Sequence, residues 1–209
     1  MTEDGVSLQG ELRRPDAEPR GSVVLCHPHP RLGGSKDHPL LWAIRNELGA
    51  RGFVVLAFNF RGVGTSAGTY GAGHAERKDV DAALSRVREE ADGPTLLCGW
   101  SFGGMVALGA ALGDPRVGAL ALVGLPISDP GLDVPDLPTD AELHAFRRPV
   151  LLLSGQGDRF STRPDLEALA RRLPAAEVDV VPGTDHFFWR REKGAADRVA
   201  AFAERLLGD

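Results

Sequence analysis

The feature that most constrains this chain is a set of short apolar runs, most of them almost unbroken. They occupy residues 22–27 (SVVLCH), 53–60 (FVVLAFNF), 95–100 (TLLCGW), 117–125 (VGALALVGL), 149–154 (PVLLLS) and 176–181 (AEVDVV). A strand covered on one face alternates apolar and polar residues. A run with few polar interruptions must be covered on both faces, as strands of a parallel sheet are. Residues 6–12 do alternate, which predicts an edge strand entering a hairpin.

Helical spacing fills the gaps. Leu40, Leu41, Ile44 and Leu48 recur at three and four, with Gly52 beyond them as a stop. Val80, Ala83, Leu84 and Val87 follow the same rule, as do Leu166, Leu169 and Leu173. Residues 105–112 are small and apolar, and Val199, Phe202, Leu206 and Leu207 close the chain. Strands alternating with helices predict an α/β fold: a doubly wound, mostly parallel sheet with helices on both faces, in one domain spanning residues 1–209. Ligands of such sheets bind beyond the carboxyl ends of the strands, so the chemistry belongs where each strand stops.

Composition narrows the function classes. The 209 residues suit one sizeable core. A formal net charge of -5, with the arginines scattered and lysine only at Lys36, Lys78 and Lys193, argues against a nucleic-acid partner. Cys26 and Cys98 both sit inside apolar runs and read as buried free thiols, which implies a reducing compartment. No N-terminal apolar stretch of signal-peptide length is present, and no window approaches the roughly 20 apolar residues of a membrane span. A soluble, cytoplasmic protein is expected. The pattern points to no particular oligomeric state.

Two pentapeptides match G-x-S-x-G, in which small residues two positions either side of a serine let the backbone double back at a strand-to-helix turn. In a chain with 26 glycines the match alone decides little, so context decides. Gly99-Trp100-Ser101-Phe102-Gly103 follows an apolar strand and opens into a helix. Gly64-Thr65-Ser66-Ala67-Gly68 runs into Thr69-Tyr70-Gly71-Ala72-Gly73, where no helix starts. Ser101 is therefore the candidate nucleophile and Ser66 a turn residue.

Of the six histidines only His186 follows the final apolar run, which makes it the candidate general base. Asp158, after PVLLLS and Gly155-Gln156-Gly157, is the candidate orienting acid, in the serine–acid–histidine order of this motif class. Asp185 adjoins the histidine too closely to orient it and reads as a turn or cap residue. Asp129 and Asp133 are fallback acids. An oxyanion needs two N–H donors. Phe102, after the nucleophile, offers one. In His27-Pro28-His29-Pro30 the prolines have no N–H, so His29 is the forward-facing second donor. Trp100, Leu125, Phe160 and Phe187 are candidate apolar pocket walls.

Two other motifs are set aside. Cys26, His27 and His29 lack a spaced second group of metal ligands, so no metal is expected. Gly62, Gly64 and Gly68 follow a strand, but no helix opens there to hold a pyrophosphate until about Glu76, so no nucleotide cofactor is expected either. Arg61, in that turn-rich loop, reads as a tie between neighbouring loops.

Taken together, His27-Pro28-His29-Pro30 with Gly33-Gly34, the segment from Phe58-Asn59-Phe60-Arg61-Gly62 to Ser66, Trp100-Ser101-Phe102-Gly103-Gly104, Gly157-Asp158 and Asp185-His186-Phe187-Phe188 give the chain a family resemblance. It resembles the compact, lidless bacterial α/β-hydrolases related to dienelactone hydrolases. The resemblance implies the α/β-hydrolase fold and a serine hydrolase reaction, not a substrate; the candidate triad predicts an acyl-enzyme without cofactor, and the apolar walls suit small carboxylic esters. Asp37-His38-Pro39 departs from the asparagine and basic residue that relatives often carry there. Dienelactone hydrolases proper use a cysteine nucleophile, so Ser101 points to ester hydrolysis more generally. Residues 126–148, where relatives of this fold insert a lid, are too few for a helical cap domain, and an open or lightly covered site is expected. A thioesterase, a peptidase or a non-catalytic binding protein on the same fold are the alternatives.

Overall fold

The computed structural model describes residues 1–128 and 131–207, the side chain of Leu207 excepted. Among these residues seven strands form one sheet in the order β1-β3-β2-β4-β5-β6-β7. They are β1 (Gly10–Arg13), β2 (Ser22–Cys26), β3 (Val54–Phe58), β4 (Thr95–Trp100), β5 (Val117–Val123), β6 (Val150–Gly155) and β7 (Ala176–Val181). Every pairing is parallel except β1 with β3. Among the described residues six α-helices accompany them: α1 (Pro39–Ala50), α2 (Glu76–Val87), α3 (Phe102–Ala111), α4 (Asp140–Ala145), α5 (Arg163–Ala170) and α6 (Glu192–Leu207). Among the described residues no helix is long and apolar enough to cross a membrane.

The unbroken apolar runs do what a two-sided sheet requires, sending alternate residues to opposite faces. On one face Val24, Leu56, Leu97, Leu120 and Leu152 meet α2, α3 and α5 through Leu84, Val106 and Leu166. On the other, Val23, Val55, Leu96, Ala121 and Leu151 meet α1 and α6 through Ile44, Leu48, Val199 and Phe202. Cys26 belongs to the first cluster and Cys98 to the second, so the sheet separates the two thiols. Both are free, and burial pushes the Cys98 thiol up to about 12.

The N-terminal strand differs from its expectation. It is an edge strand, but it covers only Gly10–Arg13 and pairs antiparallel with β3 rather than forming a hairpin with β2. Both edges of β2 are already taken, by β3 and β4. Residues ahead of β1 are committed elsewhere: Ser7 O accepts from Ala67 N–H at 2.8 Å, and Gln9 N–H donates to Ser66 Oγ at 2.9 Å. Ser66 thus pins a turn, its hydroxyl donating to Asn59 O at 2.7 Å. Arg61 ties loops together, as read. Its buried guanidinium pairs with Asp79 of α2 at 2.7 Å and with Asp4 of the N-terminal turn at 3.0 Å.

Candidate active site

Ser101 sits between β4 and α3 with φ 56° and ψ -124°, a conformation strained for a residue bearing a side chain. The glycines around it show why the turn demands them. A Cβ on Gly99 would lie 2.3 Å from Gly103 O, and one on Gly103 would lie 2.4 Å from both Cys26 O and His27 O. The helix therefore starts against the end of β2, and the serine is lifted above the carboxyl edge of the sheet.

His186 and Asp158 reach the same point from the loops after β7 and β6. His186 Nε2 lies 3.1 Å from Ser101 Oγ, and His186 Nδ1 lies 2.9 Å from Asp158 Oδ2. The other carboxylate oxygen, Asp158 Oδ1, accepts from the backbone N–H groups of Phe160 (2.9 Å) and Ser161 (3.1 Å). All three residues are buried. An ionised Asp158 accepts the Nδ1–H, which leaves Nε2 as an acceptor for the serine hydroxyl. The arrangement can move a proton from Ser101 Oγ to the imidazole while the carboxylate fixes its tautomer.

Gly124 completes this contact from the end of β5. Its φ is +54°, and a Cβ there would lie 3.1 Å from the His186 ring and 3.3 Å from Asp158 Oδ2. Its importance was invisible in the sequence, where it is one glycine inside an apolar run. Of the two fallback acids, Asp133 takes no part. Asp133 spends its carboxylate on the Tyr70 hydroxyl at 3.1 Å, and Asp129 lies outside the described residues. Asp185 Oδ1 accepts from Phe187 N–H at 3.0 Å, a turn role.

The loop after β2 is built on His27. Its Nδ1–H donates to Pro28 O at 2.6 Å and its Nε2 accepts from Phe60 N–H at 3.0 Å, which fixes a neutral ring. His29 O then accepts from Leu32 and Gly34 N–H, both at 3.0 Å, and curls the loop. The curl needs glycine at 34, where a Cβ would lie 2.1 Å from Pro28 O. The N–H of Phe102 is one that the start of α3 leaves without an intrahelical partner. Neither it nor the His29 N–H is taken up by another group among the described residues.

Burial holds the His27 ring well below the ordinary histidine range, at about 4 against 6.5. The folded state refuses a proton that the unfolded chain accepts below pH 6.5. Stability is therefore flat above that pH and falls as pH drops toward 4, by about 3 kcal/mol from this residue. Urea unfolding of the wild type and of His27→Gln, which keeps an acceptor for Phe60 N–H, checks this. The variant should lose most of the slope between pH 6.5 and 4, and equal slopes would refute it.

A cleft of about 180 Å³ opens beside Ser101 and His186. Trp100, Phe160 and Phe187 line it, together with Leu32, His38 and Leu132. Leu125, expected as a wall, is not among the lining residues. β5 ends at Val123, Gly124 turns the chain, and Leu125 is fully buried in the core, its side chain approaching Gly104. Leu32 and Leu132 take that role from loops distant in sequence, which no local pattern announces. Among the described residues no Lys, Arg, Asp or Glu lines the cleft. Among the described residues no group of His, Cys, Asp and Glu is placed to hold a metal.

Known proteins carry the same framework. A family model described as an alpha/beta hydrolase domain matches residues 19–205. The structure of an alpha-beta serine hydrolase homologue from Coxiella burnetii is 26% identical, with a TM-score of 0.80 over 97% of this chain and 98% of that one. A Xanthomonas campestris protein described as a serine hydrolase without lid is also 26% identical, with a TM-score of 0.80 over 100% of this chain and 94% of that one. An uncharacterized protein of Rickettsia prowazekii is 25% identical over 189 residues, 87% of this chain and 77% of that protein. A match over most of its length, on a sheet and helices that superimpose on lidless members of the group, places the chain in the alpha/beta hydrolase family.

Proposed function

We propose that the protein is a single-domain serine hydrolase that cleaves small, uncharged carboxylic esters through an acyl-enzyme. The observation that carries the reading is the hydrogen-bonded series Ser101–His186–Asp158, at 3.1 and 2.9 Å, placed beside two unengaged backbone N–H groups. His186 Nε2 takes the Ser101 proton as the oxygen attacks the ester carbonyl. The N–H groups of Phe102 and His29 hold the tetrahedral oxyanion, donors already in place before charge develops. His186 then returns the proton to the leaving alcohol. Water, activated by the same imidazole, releases the acid and restores Ser101.

The cleft supports the substrate class. Its described walls are mainly aliphatic and aromatic, and a charged substrate group would find no carboxylate, lysine or arginine among them. A volume of about 180 Å³ suits a short acyl chain or a single aromatic ring. The same proton transfers serve thioesters and amides, so a panel decides. With p-nitrophenyl acetate and butyrate, an acyl-thioester and an aminoacyl anilide, kcat/KM should favour the oxygen esters by about tenfold or more. Faster turnover of the thioester or anilide would move the protein to one of those classes.

A further inference from the structure

The His29 side chain has a task besides presenting its N–H. Its Nδ1 accepts from Arg31 N–H at 3.2 Å, so Nε2 carries the proton. That proton is directed to Asp133 O at 2.8 Å, with the Tyr70 oxygen 3.3 Å away. The Tyr70 hydroxyl in turn donates to Asp133, at 3.2 Å from its carbonyl and 3.1 Å from its carboxylate. Burial and the Asp133 carboxylate both raise the Tyr70 pKa, which keeps the phenol protonated as a donor. Asp133 follows Leu132, a wall of the cleft.

The dock for this strap, residues 131–137, is prepared in advance. Glu76, fully buried, accepts from Gly71 N–H at 2.7 Å and from Gly73 N–H at 2.8 Å, and so fixes the loop that carries Tyr70. Gly73 has φ +84°, and a Cβ there would lie 2.0 Å from Pro135 Cγ, so the strap seats against bare backbone. The Tyr70 ring lies 5.4 Å from the His29 ring and 5.7 Å from the Phe102 ring, touching the side chains of both residues proposed to hold the oxyanion.

We propose that Tyr70 is a positioning residue: with the His29 ring it latches the strap at Asp133, and this latch holds Leu132 in the cleft wall and so restricts the acyl group to a short one. The kinetic consequence rests on the ester-hydrolase reading; the latch itself does not. Tyr70 acts through Leu132 and does not touch the reacting atoms.

The test compares the wild type with Tyr70→Phe, Leu132→Ala and the double variant. Tyr70→Phe keeps the ring packing and removes only the hydroxyl. Hydrogen–deuterium exchange in residues 131–137 should rise severalfold in Tyr70→Phe while exchange in α3 stays unchanged. The kcat/KM ratio of p-nitrophenyl acetate to octanoate should fall by about fivefold to tenfold in each single variant. The double variant should fall no further than Leu132→Ala, because both changes release the same wall. Unchanged exchange in the strap, an equal loss on both esters, or additive effects in the double variant would overturn the latch. If the wild type hydrolyses neither ester, the esterase reading fails, and the exchange measurement alone decides the latch.

Discussion

Ser101→Ala should lower kcat/KM for p-nitrophenyl acetate by about 10⁴-fold or more, with the fold intact. The expectation follows from what one oxygen atom does here. In the proposed mechanism no acyl-enzyme forms without it, and what survives is whatever rate the N–H groups of His29 and Phe102 lend to attack by water. Alanine at 101 inherits the positive φ of 56° and no new clash, so thermal unfolding should change little. Activity near the wild-type level would remove Ser101 from the chemistry.

Asp158→Asn is the second large effect, about 10⁴-fold in kcat. The local hydrogen bonds dictate its sense. Phe160 and Ser161 both point N–H groups at Oδ1, so the position nearer them must remain an oxygen. The amide nitrogen of asparagine is then forced to face His186 Nδ1. The amide donates, so His186 Nδ1 must accept, the ring proton moves to Nε2, and the imidazole presents a donor to Ser101 where an acceptor is needed. The variant should fold normally and still hold His186 in place. Turnover within about tenfold of the wild type would show that Asp158 does not set the tautomer.

These expectations depend on residues that were legible in the sequence to different degrees. The sheet was, because strands buried on both faces leave short apolar runs bounded by turn residues and separated by segments of helical spacing. Ser101 was distinguishable from Ser66 because a strand precedes it and a helix follows it, a local property. His186 and Asp158 could be found by chain order after the last two strands, and their meeting at 2.9 Å is a consequence of strand order rather than of any pattern near them.

What escaped notice is what depends on through-space neighbours. Gly124 looks like any of the 26 glycines until the His186 ring is placed beside it. Leu132 and Leu32 reach the cleft from loops, whereas Leu125, which the pattern favoured, is turned into the core by the glycine before it. The pairing of β1 was missed for the same reason. Alternation identifies an edge strand but does not say which edge it joins, and here the free edge belongs to β3.

In the proposed mechanism His186 activates Ser101 toward electrophiles. A fluorophosphonate probe tests it with no assumption about substrate, by attaching to an activated serine oxygen and leaving ordinary hydroxyls alone. Intact-mass and peptide mapping of the full-length protein should show one adduct, on Ser101, formed in the wild type and lost in both Ser101→Ala and His186→Ala. An unlabelled wild type, or an adduct on another serine that persists in those variants, would show that His186 does not activate Ser101 and favour a non-catalytic protein on this fold.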